Sequence, residues 1–358
     1  MSIKSFLWHD YETFGANPFV ARASQFAAIR TDVQLNIIDD PVELHCRIAP
    51  DYIPSPYACL VTGITPQETL EKGVCEADFI KVIHGQMSQP GTCSSGYNSI
   101  RFDDEITRHT LYRNFYEPYA REWQNGNSRW DLIDVVRMMY ALRPEGLEWP
   151  KREDGYASFK LELLTKANGI SHEGAHDAVA DVIATIELAK MIRQAQPKLF
   201  DYALSLRDKR KVNEIIRLNN PKPLIHISSK YPAAQSCSAF VQPLFSHPTN
   251  NNAVIVVDLS INPESWIHLS DEQLVAAMYT PNAERTEELP RLGLKAVHAN
   301  KSPMLVTGKM LDADIAERLQ IDLDSSAAHA GWWQQHGGQY FKKLTKLFEQ
   351  SWPVKADV

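Results

Sequence analysis

Cysteine is scarce in this 358-residue sequence: five are present, Cys46, Cys59, Cys75, Cys93 and Cys237, an odd number with no C-x-x-C pair. That argues against a disulfide framework or a thiolate zinc site and reads as buried free thiols in a reducing compartment. Long apolar runs are also missing. Met-Ser-Ile-Lys followed by Ser5 to Trp8 is too short for a signal peptide, and no stretch is long enough to cross a bilayer. The expectation is a soluble, cytoplasmic, monomeric protein. There is no low-complexity tract and no repeat at a fixed period, so disorder beyond a loop is not expected. Nor is there an excess of positive charge. The net charge of -7 argues against general adhesion to nucleic acid, although a local basic groove could still hold phosphates while acidic residues elsewhere hold metal.

The length suggests two domains. Ser5 to Trp8 reads as a core strand with polar residues at its exit. Gln25 to Arg30, Leu35 to Ile38 and Val42 to Ile48 follow as strand candidates, which suggests an antiparallel meander. Gly63-Ile64-Thr65-Pro66 places a Thr cap and a Pro at the start of a helix. Thr92 to Asn98 reads as another strand. Helices are expected from Phe102 onward, over Leu132 to Leu142, over Leu161 to Ala167 and over Ala178 to Ile192. A meander followed by alternating strands and helices fits an α/β sheet covered by helices. Composition changes near Pro197 to Asn220. Beyond it come strand-like runs at Leu224 to Ser228, Phe240 to Phe245, Val254 to Leu259 and Leu294 to Ala299. A helix is expected at the capping box Ser270-Asp271-Glu272-Gln273, another over Asp312 to Leu319, and a closing helix over Tyr340 to Phe348. The division expected is 1–196, 197–350 and a tail at 351–358.

Three short elements carry chemistry. Asp10 and Glu12 are two apart on a strand, so alternation points both carboxylates to one face, close enough to share a cation. Such a pair alone is most often merely solvated. Its position directly after an apolar run raises its interest, because buried carboxylates are costly without a positive partner. In Gly96-Tyr97-Asn98-Ser99-Ile100-Arg101-Phe102-Asp103 a strand ends, Asn98 turns the chain, and Asp103 opens a helix. The plain alternative is an acid favoured by the helix dipole, and that reading suits Asp104 better still. In His176-Asp177-Ala178-Val179-Ala180-Asp181, Asp177 suits a helix N-cap, with His176 just outside and Asp181 about one turn inside. A capped helix with a surface His remains the alternative.

Taken together, these elements resemble the DEDDh exonuclease superfamily, whose members carry four acidic residues and a histidine. Trp8-His9-Asp10-Tyr11-Glu12-Thr13-Phe14-Gly15, Gln25 to Asp32, Gly63-Ile64-Thr65-Pro66-Gln67-Glu68, Arg113-Asn114-Phe115-Tyr116, Ala141-Leu142-Arg143-Pro144-Glu145-Gly146 and Leu164 to Ile170 narrow the resemblance to the bacterial exodeoxyribonuclease I family. It implies a ribonuclease H-like mixed sheet flanked by helices, followed by an SH3-like, mostly β domain with inserted helices. Members of that family continue into a further helical region, whereas this sequence stops at Val358.

The activity implied is 3′-to-5′ hydrolysis of single-stranded DNA to 5′-mononucleotides in DNA repair and recombination. Phosphodiester hydrolysis by two divalent ions about 3.5–4 Å apart calls for hard oxygen ligands. Asp10, Glu12, Asp103 and Asp181 are expected to hold two Mg²⁺, with Mn²⁺ possible and Asp10 bridging, and His176 to act as general base. Base stacking and phosphate contacts are expected from Arg108, Tyr119, Trp123, Arg137, Phe159 and Lys160, with Leu111 and Phe115 assigned to the core. Glu12, Thr13 and Phe14 are expected to meet the 3′-terminal nucleotide. Arg143 and Tyr202 resemble part of a docking surface for the acidic C-terminal tail of single-stranded DNA-binding protein.

Overall fold

Ser5–Thr13 alternates between two covered faces, and the strand it forms, β1, is buried almost throughout. It lies in the middle of a five-stranded sheet with β2 (Ala23–Thr31), β3 (Val42–His45), β4 (Thr92–Gly96) and β5 (Ser128–Asp131), in the order β3-β2-β1-β4-β5. The first three strands form an antiparallel meander, while β4 and β5 run parallel to β1, making the sheet mixed. The computed structural model describes residues 3–172, 177–281, 284–286 and 289–349.

The helices of this region are α1 (Pro56–Thr62), α2 (Pro66–Lys72), α3 (Glu76–Met87), α4 (Asp103–Arg113), α5 (Leu132–Leu142), α6 (Leu161–Ala167), α7 (Ala178–Ala195) and α8 (Pro197–Ser205). Side chains Leu7 and Tyr11 of β1 enter one core with Phe79, Ile80 and Ile83 of α3 and with Ile106 and Leu111 of α4. The alternate side chains, Phe6, Trp8, Asp10 and Glu12, therefore face the other side of the sheet, where α7 packs on β1 and β2.

Two compact units result: Met1–Met139 with Arg143–Arg207, and Tyr140–Leu142 with Asp208–Val358. α8 belongs to the first unit and not to the second domain expected from 197 onward, because Phe200 packs edge-on against Trp130 at 5.1 Å and the Trp130 indole donates to the Ala203 carbonyl. The run Leu35 to Ile38 is not a strand. Asp32 accepts the backbone N–H groups of Gln34 and Asn36, Leu35 has φ +71°, and only Ile37 bridges back to Thr31.

Beyond α9 (Lys209–Ile216), the second unit carries β6 (Leu224–Ile227), β7 (Ser238–Ser246), β8 (Ala253–Asp258), α10 (Asp271–Tyr279), β9 (Leu294–His298), β10 (Met304–Thr307), α11 (Ala313–Arg318), α12 (Leu323–His336) and α13 (Phe341–Glu349). Its sheet, ordered β10-β6-β7-β8-β9, is antiparallel throughout. Pro243 cannot donate to the ladder, and the β7–β8 register shifts beside it. Ile255 and Val257 of this sheet share a core with Trp266, Leu274, Trp333, Leu344 and Leu347. The capping box at Ser270 is formed as expected.

None of the five cysteines is in a disulfide, but they are not uniformly buried: Cys75 is exposed at the N-cap of α3, with its thiol on Asp78. Among the described residues no helix is long and apolar enough to cross a membrane.

Candidate active site

The parallel pairing of β1 with β4 ends at Trp8 and Ser95, so the last part of β1 runs beyond its neighbour. β4 stops at Gly96, where an added Cβ would lie 2.6 Å from the His9 carbonyl oxygen. A side chain at position 96 would force the two strands apart. The chain then turns at Asn98, with φ +66°, and α4 starts at Asp103. The Tyr11 N–H, left without a partner strand on that edge, donates to Asp103 Oδ1 at 3.0 Å. The acid at the start of α4 thereby completes the open edge of β1 and sits beside Asp10.

On the face opposite Tyr11, the first turn of α7 supplies the third element. Asp177 caps this helix by accepting from the N–H groups of Val179 and Ala180, an interaction of about 1 kcal/mol. One turn on, Asp181 meets the two β1 carboxylates: Asp10, Glu12 and Asp181 each present an oxygen within 4.8 Å of the others. The fourth expected ligand, Asp103, lies outside that group of three but acts electrically on Asp10. His176 lies outside the described residues. His172, not among the residues the sequence singles out, is hydrogen-bonded through Nε2 to Asp181 Oδ1, and its Nδ1 is 3.1 Å from Thr165 Oγ1.

This concentration of acids has an electrostatic signature. Burial pushes Asp10 well above the usual carboxylate range, and the negative charges of Asp103, Glu12 and Asp181 push it further. Glu12 is raised to about 8 by burial, with Asp181 and Asp177 adding to the shift. Burial also raises Asp103, against the lowering effect of backbone N–H groups. Buried like charges repel, and a bound cation reverses the sign of that interaction. The donors are all carboxylate oxygens, the chemistry suited to a hard ion such as Mg²⁺ or Mn²⁺. The residues present thus fit a divalent cation.

Asp104 turns away from this cluster. It stands in the first turn of α4, as expected of a helix-start acid, but its carboxylate is buried between Arg121 at 2.6 Å and Arg129 at 2.8 Å. Burial would raise it, but the two guanidinium groups hold it well below the ordinary range. His9, on the same side of β1, is lowered to about 4 chiefly by burial.

The expected DNA contacts separate into two groups. Tyr119 and Trp123 are 52% and 66% exposed and open to a stacked base. Lys160 is exposed beside Glu162, with Phe159 half-buried next to it. Arg108 does not line a groove: it is 8% exposed, bonded to Glu105 and Glu122, and covered by the Tyr119 ring at 5.1 Å. Arg137 is buried against Asp134, with its guanidinium 5.8 Å from the Phe159 ring. Phe14 is a core residue, 1% exposed, and the buried Thr13 hydroxyl donates to the Gly15 carbonyl at 2.7 Å. Phe115, assigned to the core from the sequence, is 98% exposed, because α4 ends at Arg113 and Phe115 takes φ +63°. Arg143 and Tyr202 are both half-buried, and burial raises the Tyr202 phenol to about 12.

The chain is similar to known proteins in both sequence and fold. A family model described as Exonuclease matches residues 7–189, a span that contains Asp10, Glu12, Asp103 and Asp181, and one described as Exonuclease I SH3-like domain matches 207–350. Exodeoxyribonuclease I of Escherichia coli strain K12 is 49% identical over 318 residues, covering 89% of this chain and 67% of that protein. The Haemophilus influenzae exodeoxyribonuclease I is 50% identical over 319 residues, with the same coverage. A crystal structure of E. coli exonuclease I in complex with a dA16 oligonucleotide superposes with a TM-score of 0.94 at 45% identity, over 98% of this chain and 75% of that one. The moderately thermophilic exonuclease I from Methylocaldum szegediense gives 0.93 at 48% identity, over 97% and 74%. With both domain models matched in order and close to half the aligned residues shared with these relatives, the chain belongs to the exodeoxyribonuclease I family.

Proposed function

We propose that this chain hydrolyses single-stranded DNA one nucleotide at a time from its 3′ end, releasing 5′-mononucleotides, in DNA repair and recombination. The observation that carries the reading is the meeting of Asp10, Glu12 and Asp181 within 4.8 Å, with Asp103 held beside them by the Tyr11 N–H. The co-crystal of E. coli exonuclease I with dA16 supports single-stranded DNA as the substrate.

In this reading Asp10, Glu12, Asp103 and Asp181 hold two Mg²⁺ ions, or Mn²⁺ in their place. Bound there, such ions supply water activation and neutralise charge on the leaving oxygen. His176 takes the proton of the attacking water, a role that rests on its place directly before the Asp177 cap. The bond broken joins the terminal phosphorus to the 3′ oxygen of the preceding nucleotide. Tyr119 and Trp123 offer exposed rings to the incoming bases, and Lys160 an exposed cation to a phosphate.

Matched DNA and RNA oligonucleotides, digested in Mg²⁺ by the parent and by Asp181→Ala, test the proposal. DNA shortened by the parent alone, with RNA left intact, is the expected result. Preferred digestion of RNA would instead make the chain an RNA-trimming member of the same superfamily.

Arg143 and Tyr202 support a second reading, docking of an acidic, Phe-terminated tail such as that of single-stranded DNA-binding protein. Arg143 closes α5 and is only half-buried, and a guanidinium is suited to pairing with a carboxylate. Unchanged affinity of Arg143→Ala for such a peptide would remove this residue from the surface.

A further inference from the structure

Asp181 stands in a crowd of like charges. Its carboxylate shares a space within 4.8 Å with those of Asp10 and Glu12, and repulsion favours turning it outward to solvent. His172 opposes that rotation. Its Nε2 is hydrogen-bonded to Asp181 Oδ1, and the opposite side of its ring lies 3.1 Å from Thr165 Oγ1. Thr165 is itself fully buried in α6, with its oxygen 2.9 Å from the Leu161 carbonyl. The His172 side chain is only 7% exposed. An ionised carboxylate can only accept, so Nε2 carries the proton in this pair.

We propose that His172 is a positioning residue for cation binding: its Nε2–H bond, braced by Thr165, holds the Asp181 carboxylate turned toward Asp10 and Glu12. The inference rests on the reading that Asp181 ligates a divalent ion. Ligating carboxylates are oriented by hydrogen bonds of their own, and losing such a partner typically costs about 10–100-fold in metal affinity or activity. A purely structural role for the same bond, as a tie between α6 and the start of α7, makes a different prediction. It would lower the melting temperature of any variant without affecting metal binding selectively.

Mn²⁺ binding to the full chain, followed by the electron paramagnetic resonance of the free ion, reads the effect without relying on turnover. His172→Ala is expected to weaken Mn²⁺ binding by about 10–100-fold. His172→Gln, whose amide N–H reaches the place of Nε2–H, is expected to recover most of that loss. In parallel, half-saturating Mg²⁺ for cleavage of a short single-stranded oligonucleotide rises in His172→Ala, while turnover at saturating Mg²⁺ is largely kept. Asp181→Ala serves as the reference. Loss of Mn²⁺ binding in Asp181→Ala with none in His172→Ala overturns the positioning role. Unchanged binding in both overturns the assignment of Asp181 as a ligand as well. If Gln is as weak as Ala and both melt earlier by the same amount, the bond is structural and the proposal fails.

Discussion

The Asp103 carboxylate accepts the backbone N–H of Tyr11 at 3.0 Å, at the point where β4 has ended and β1 continues alone. One side chain thus closes the edge of a strand and places a charge beside Asp10. Asparagine keeps an oxygen acceptor for the N–H but not the charge. Asp103→Asn is therefore expected to leave the melting temperature close to the parent's and to reduce Mg²⁺-dependent nuclease activity by more than the roughly 100-fold that loss of a merely supporting residue costs. Melting curves alongside a turnover assay check both halves.

Asp104, the next residue, predicts the opposite pattern. Its carboxylate balances Arg121 and Arg129 in the interior, and Arg121 is fully buried. Removing one partner of a buried pair leaves charge uncompensated, at a cost of about 3–5 kcal/mol. Asp104→Asn should lower the urea midpoint by a corresponding amount whether or not Mg²⁺ is present. An unchanged midpoint would show that the network contributes little.

Glu12 makes stability depend on pH. Its carboxyl titrates at about 8 in the folded chain against an ordinary 4.5, so between those values the folded state binds more protons than the unfolded state. Its contribution is fully present below pH 4.5 and is lost as pH rises toward 8. The melting temperature of the ion-free protein should therefore fall across that window more steeply in the parent than in Glu12→Gln, and added Mg²⁺ should raise the parent's most near pH 8. Identical slopes for parent and variant would contradict the shift.

Trp123 and Tyr119 present their rings to solvent, so truncating them should not disturb the core. Each stacked base is worth about 1–3 kcal/mol, and Trp123→Ala or Tyr119→Ala should weaken binding of a single-stranded oligonucleotide by that amount. The Mg²⁺ requirement should not change. Fluorescence anisotropy with a labelled oligonucleotide measures the loss.

Where local rules act, the sequence was readable. Alternation along β1 put Asp10 and Glu12 on one face, Asp177 capped α7, and α5 and α6 run over the residues expected. Two of the failures have a physical origin in long-range partners. Cations interleaved with aromatics read as a groove, but Arg108 is claimed by Glu122, fourteen residues away. Helical spacing places Phe115 on the apolar stripe of α4, but the helix ends at Arg113. His172 reaches Asp181 only because α6 and α7 bring the two together. The four-residue strands β5 and β10 carry little pattern of their own, and each pairs with a strand distant in sequence.

The central claim is metal-dependent removal of nucleotides from the 3′ end of single-stranded DNA. A timed digest of one oligonucleotide, labelled at either end, single-stranded or annealed to its complement, with Mg²⁺ or with chelator, tests it most directly. A ladder that shortens stepwise from the 5′-labelled strand is expected. The 3′ label should be released at once as a mononucleotide, with much slower loss from the duplex and none in chelator. Early release of the 5′ label, internal cuts, or digestion that persists in chelator would contradict it.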